Sequence, residues 1–147
     1  MDTERFLIAQ EGIFDDVIAQ LNCGRKTSHW MWFIFPQLAG LGHSDMAQRY
    51  ALKNADDART YLRHPTLGAR LITCSTIVAG LQGLSARAIF GDIDAMKFHS
   101  SMTLFDHVKE HGHSCFENCL QRYFDGQLDG GSLSLLGIID NDFAKKM

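Results

Sequence analysis

The segment Ile93-Asp94-Ala95-Met96-Lys97-Phe98-His99-Ser100-Ser101-Met102-Thr103-Leu104-Phe105-Asp106-His107-Val108-Lys109-Glu110-His111 decides the fold class. At about 100° per residue, Phe98, Met102, Leu104, Phe105 and Val108 fall on one broad apolar arc. That spacing predicts a helix from about Ile93 to His111, with Asp92 as its cap. Asp94, Lys97 and Ser101 fall inside the same arc, where a core-facing helix should be apolar. A buried charge is costly unless it is paired or lines a wet cavity. Asp94 and Lys97 are three residues apart and can pair. Two readings follow. In one, both reach solvent, Asp94 favours the helix dipole and Lys97 snorkels. In the other, Asp94, Lys97, Ser100 and Ser101 line a polar pocket.

Helical signals continue on both sides. Asp2 or Thr3 caps a short helix carrying Phe6 and Leu7. Phe14, Val17, Ile18 and Leu21 keep helical spacing, and Gly24 stands where a C′ glycine belongs. Ser44 caps a helix to about Leu52, and Asn54 caps one that reaches Leu62. Pro65 suits the first turn of a long helix, where its missing N–H costs little. On that helix Leu67, Leu71, Cys74, Val78 and Leu81 form one stripe. Ser85 is a further cap. Ser114 and Glu117 have the spacing of a capping box for a helix ending before Gly126. Leu133, Leu135 and Leu136 close the core on a last short helix. No clear period-2 strand occurs. The expectation is a mainly α, compact, bundle-like fold of about seven helices with little or no sheet. One domain covers 1–137, and a short polar tail covers 138–147.

The other unusual segment is Ser28-His29-Trp30-Met31-Trp32-Phe33-Ile34-Phe35-Pro36-Gln37. It is apolar all round, so periodicity does not separate a buried strand from a helical turn. Pro36 disfavours a helical Phe35. Lys26, Ser28, His29 and Gln37 bracket the aromatic run. Aromatic walls with a few polar groups at the rim suit a small-ligand cleft, and a flat ligand can stack on Trp30 or Trp32. The same residues also suit a hydrophobic strut with polar ends. His29 is the general-base candidate by position. Arg70, at the edge of its helix's stripe, suits an anionic group or an acidic neighbour.

The chain has 147 residues, enough for one domain that buries roughly 70% of its unfolded surface. With 46% hydrophobic and 21% charged residues, disorder is not expected. The net charge of -3 and the lack of a basic run argue against extended nucleic-acid binding. They leave room for one anionic small molecule. Met1-Asp2-Thr3-Glu4-Arg5 has no signal-peptide character, and the run from Trp30 to Pro36 is far too short to span a membrane. A cytoplasmic protein with free thiols at Cys23, Cys74, Cys115 and Cys119 is expected. His107, His111, His113, Cys115 and Cys119 match none of the standard zinc spacings, so no metal site and no cofactor is assigned. G-x-G-x-x-G, Walker and G-x-S-x-G motifs do not occur.

Lys26-Thr27-Ser28-His29-Trp30-Met31-Trp32-Phe33-Ile34-Phe35-Pro36-Gln37 with Gly40-Leu41-Gly42 resembles the signature of an uncharacterised bacterial family often labelled "calpastatin" in genome annotation. Tyr61-Leu62 before His64-Pro65, Leu67-Gly68 with Arg70-Leu71, Ile89-Phe90-Gly91, and Asp94 with Lys97 ahead of Ser100-Ser101-Met102-Thr103-Leu104-Phe105 agree with it. The resemblance spans almost the whole chain and implies a mainly helical fold. Calpastatin itself is a disordered, repetitive inhibitor, and this apolar, repeat-free chain does not fit that mode. The order of motifs is also partly similar to the NADAR group, which implies ADP-ribose or phosphoribosyl-amine chemistry; no catalytic residue carries over.

Three functional readings stand. The first is an enzyme on a nucleotide-like or phosphoribosyl compound. In it His29 is the acid or base and Asp94 its partner carboxylate. Lys26, Arg70 and Lys97 bind anionic groups, Trp30 or Trp32 stacks on the ligand, and Ser28, Gln37, Ser100 and Ser101 add polar contacts. The second is a non-catalytic binding or interaction module. The third is an aromatic segment that serves only as core.

Overall fold

Caps and apolar spacing place the helices of the computed structural model, which describes residues 1–138. In chain order these are α1 (Glu4–Gln10), α2 (Phe14–Asn22), α3 (Met31–Ile34), α4 (Asp45–Arg49) and α5 (Ala55–Arg63). They continue with α6 (Pro65–Gly80), α7 (Ala86–Phe90), α8 (Asp92–Val108), α9 (Cys115–Phe124) and α10 (Gly130–Leu135). The chain is mainly helical and forms one domain, with ten helices among the described residues where about seven were expected. The additions are one-turn pieces such as α3, too short to show a period. Among the described residues there is no strand; Leu38 and Leu52 form one isolated parallel bridge. Among the described residues no helix is long and apolar enough to cross a membrane. The expected tail over 138–147 lies, from residue 139 onward, outside the described residues.

The side chains of Ser44, Asn54 and Ser85 accept hydrogen bonds from the first turns of α4, α5 and α7. Each satisfies a backbone N–H that the helix itself cannot. The His64 side chain does the same for α6, whose first residue is Pro65. Three boundaries differ from expectation. α4 stops at Arg49 rather than near Leu52, and α8 runs from Asp92 only to Val108, with Gly91 in the cap position. The Ser114–Glu117 capping box does not form: Ser114 caps nothing, and Glu117 instead accepts from Lys109 at 3.4 Å. Leu135, expected in the core, is exposed.

α6 and α8 both pack on α5 and α9; α8 also meets α7 and α10. The buried stripe on α6 is Leu67, Leu71, Cys74 and Val78. An aromatic seam fills the centre. Phe98 stacks on Phe90 at 4.7 Å and meets Phe35 edge-on at 5.0 Å. Phe105 continues it to Tyr61 and Phe116. Offset and edge-on ring pairs of this kind add about 0.5–1.5 kcal/mol each beyond area burial. Trp30, Phe33 and Phe35 belong to this core. The aromatic segment is therefore a single helical turn, α3, followed by Phe35 at φ -122 and ψ 71 ahead of Pro36.

The carbonyl of Phe33 is the buried acceptor that ties α3 to its neighbours. It accepts from Gln10 Nε2 at 2.8 Å and from the Tyr61 hydroxyl at 3.0 Å. Burial holds the Tyr61 phenol well above its ordinary pKa, against the opposing pull of the Gln10 hydrogen bond; an anion there would have no solvent.

Candidate functional site

α2 positions the loop that precedes α3. Gln20, on its outer face, works as a template for residues 27–30. Its Oε1 accepts from Thr27 N at 2.8 Å, Ser28 N at 3.2 Å and Trp30 Nε1 at 2.9 Å. Its Nε2 donates to Ser28 Oγ at 2.7 Å. Gly24, at φ +73, turns the chain where a Cβ would stand 2.6 Å from Leu84 Cδ1. Lys26 N then donates to the Ile89 carbonyl at 2.8 Å, pinning the loop to α7.

These contacts deliver Lys26 to the first turn of α8. Its Nζ lies 2.7 Å from Asp94 Oδ2, and the two side chains are only 8% and 19% exposed. The same ammonium sits 5.2 Å from the Trp30 ring centroid. Lys97, one turn along α8, is 3.8 Å from Asp94 Oδ1 and 5.1 Å from the Trp32 ring centroid. The closer contact is a charge-assisted hydrogen bond; the longer one is too distant for that. One carboxylate thus faces two ammonium groups and hydrogen-bonds only one of them.

A cleft of about 520 Å³ opens here, lined by His29, Trp32, Phe90, Ile93, Asp94 and Lys97 among others. His29 is exposed at its rim. Asp94 and Lys97 are neither free in solvent nor sealed in the core, so the two readings of that polar arc meet halfway.

The other candidate residues lie elsewhere or are already engaged. Ser28 is bound to Gln20, and Trp30 is buried with its N–H taken. The Gln37 carbonyl accepts from Leu52 N at 3.0 Å, which places it at the Leu38–Leu52 bridge. Ser100 donates to the Met96 carbonyl and to Asp129 Oδ2 at 3.1 Å, joining α8 to the cap of α10. Ser101 is fully buried and its Oγ has no partner among the described residues. Arg70 lines a separate cleft of about 480 Å³ with Glu4, Glu11 and Phe14, where it donates to Gln10 Oε1 at 3.2 Å. Gln20, Phe90, Gly91 and Ile93 were not singled out from sequence. Only Phe90 and Gly91 carried a signal, as part of the Ile89-Phe90-Gly91 motif.

The His and Cys residues near α9 do not converge. Among the described residues no group of three or more His, Cys, Asp or Glu side chains is placed to hold a metal ion. Burial pushes the Cys74 thiol up to about 12 and raises Cys115 and Cys119 as well. Thiols so raised are neutral at physiological pH, and it is the thiolate that ligates metals or attacks.

The two tryptophans differ in a way that can be measured. Trp30→Phe loses a satisfied N–H bond and leaves a gap in the core where the larger ring of the buried Trp30 stood, so it should cost about 1–3 kcal/mol. Trp32 Nε1 is buried without a partner among the described residues. Trp32→Phe should therefore change stability by less than about 1 kcal/mol. Urea unfolding of both variants checks the order, and equal costs would contradict it.

The family described as "Protein of unknown function (DUF1810)" matches residues 1–136. No curated protein matches the chain. Among solved structures, the crystal structure of the conserved hypothetical protein Rv1873 from Mycobacterium tuberculosis is similar. It is 41% identical over 94% of this chain and 98% of that chain, with a TM-score of 0.90. With a family match over residues 1–136, the chain belongs to the family described as protein of unknown function DUF1810.

Proposed function

We propose that the cleft between the residue 26–32 segment and the start of α8 binds a small organic anion. One observation carries this reading: Asp94 faces both Lys26 and Lys97, at 2.7 and 3.8 Å, so among the described residues one half-buried positive charge has no counter-charge. A partly desolvated charge of this kind is costly until an anion joins it. Lys97 is the ligand-binding cation. Lys26, the more buried and more tightly bonded of the two, holds Asp94 in place. Trp32, Phe90 and Ile93 supply the apolar wall. If the ligand is also a substrate, His29 at the rim is the acid or base. Asp94, already bonded to an ammonium, orients rather than abstracts.

Nucleotide-like and phosphoribosyl compounds head the ligand classes, since they combine an anionic group with a flat or sugar body. A thermal-shift screen against nucleotides, NAD-derived compounds, sugar phosphates and aromatic carboxylates tests the reading. A ligand at 100 times its dissociation constant stabilises by about 2.7 kcal/mol, equivalent to about 8 °C in a chain of this size. The response should vanish in Lys97→Met. A flat response across all four classes contradicts the proposal.

A second reading rests on Ile93 and Met96, each 72% exposed and three residues apart on α8. They suit a protein partner seated over the cleft mouth. In that case Ile93→Ser with Met96→Ser abolishes partner binding, and no small anion shifts the melting point.

A further inference from the structure

Resting on the reading above, the geometry points to a more specific ligand. We infer that the anion is a single phosphoryl group on an aromatic body, as in a nucleoside monophosphate, with the phosphoryl at Lys97 and the ring toward Trp32.

Charge comes first. Asp92 also lines the cleft, but Arg87 pairs with it at 2.7 Å. Among the described residues, Lys26, Lys97 and Asp94 then leave one positive charge in the cleft. The start of the 17-residue α8 adds roughly half a charge of the same sign. The sum suits a phosphomonoester, which carries about -1.5 to -2 at neutral pH. A carboxylate leaves part of it unmatched, and a triphosphate overloads it.

Hydrogen-bonding type agrees. Lys97 has three donor positions and no hydrogen bond to Asp94. The cap residue of α8 is Gly91, whose backbone φ is +84, and no side chain caps the first turn. A Cβ built on Gly91 would meet nothing within 4 Å, so the space beside the first turn is open. The two lining carboxylates are each engaged, Asp94 by Lys26 and Asp92 by Arg87, so the Lys97 ammonium and the first-turn N–H groups are the donors left on this side. Phosphoryl oxygens are acceptors, and three of them can be served at once.

Size and polarity supply the rest. About 520 Å³ is far more than one phosphoryl group fills, and Met31, Trp32, Phe90 and Ile93 line the remainder. A ligand that ends at the phosphate leaves that wall wet; an aromatic ring covers it. The net charge of -3 on the whole chain works against long polyanions, which keeps selection local to this cleft.

The experiment is isothermal titration of the full chain with adenosine monophosphate, adenosine, inorganic phosphate, ribose 5-phosphate and benzoate. The monophosphate should bind at least about tenfold more tightly than each of the other four. Lys97→Met should remove about tenfold or more of the monophosphate's affinity and leave adenosine unchanged. Trp32→Leu should bring the monophosphate and ribose 5-phosphate to similar affinities. Benzoate binding as tightly as the monophosphate overturns this inference but leaves the organic-anion reading intact. Monophosphate binding that is unaltered by both substitutions overturns it as well. If none of the five compounds and no other organic anion binds, both readings fall together. Melting curves confirm that each variant is folded, and Lys97→Gln serves as the second variant if Lys97→Met is not.

Discussion

Gly68→Ala is expected to destabilise the protein by about 3 kcal/mol or more. Helix propensity alone predicts the opposite sign, because alanine inside a helix is favoured over glycine by about 1 kcal/mol. Packing decides the outcome. Gly68 lies in the second turn of α6, where that helix crosses back over the end of α5. A Cβ there would stand 1.9 Å from the Leu62 carbonyl oxygen and 2.8 Å from its carbon. Both are backbone atoms, so no side-chain rotation relieves the clash. α5 and α6 must separate, and Leu62, Leu67 and Leu71 lose packing with them. A melting point within about 2 °C of the parent would show that the two helices are not locked at this distance.

Asp94→Ala should cost about 3 kcal/mol, somewhat less than a fully buried pair because Asp94 and Lys97 keep about a fifth of their exposure. The substitution leaves two ammonium groups facing each other, one of them only 8% exposed. Lys26→Met combined with Asp94→Leu should recover most of the loss, since removing both partners leaves no orphaned charge. The same single variant should bind an organic anion more tightly per folded molecule, because the cleft gains a positive charge. Stability and affinity thus move in opposite directions. A variant that lost both would mean that Asp94 itself contacts the ligand. Chemical denaturation with and without the ligand separates the cases.

Much of the helical frame was legible in the sequence because caps are local. Ser44, Asn54 and Ser85 stand within three residues of the N–H groups they cap, and Pro65 stands at the first position of α6. The polar residues inside the α8 arc were legible for the same reason: periodicity places Asp94 and Lys97 on the core side without reference to any other element. Short helices were not legible. α3 spans four residues, less than the window in which a 3.6-residue period can be told from a run of apolar residues. Ser114 shows the reverse failure, a motif with correct spacing whose side chain finds no first-turn N–H.

The candidate site divides along similar lines. Lys26 and Asp94 are 68 positions apart in sequence, and each looked polar in an apolar setting. Their pairing depends on Gln20 folding the loop and on Lys26 N meeting the Ile89 carbonyl, and no spacing rule encodes those contacts. Arg70 illustrates the converse. It had the right chemistry for the anion and the wrong location, because Gln10 holds it on the α1–α2 side of the molecule.

The most direct test of the central claim uses the two tryptophans of the chain. Each has one indole N–H resonance in a two-dimensional nitrogen–proton spectrum, and Trp30→Phe assigns them. On titration with adenosine monophosphate, the Trp32 resonance and the amides of Gly91 to Asp94 should shift together and saturate at one ligand per chain. The Trp30 indole, bonded to Gln20 behind the cleft, should move little. Shifts gathered instead around Arg70 and Phe14, or no saturating shift with any organic anion, would contradict the account.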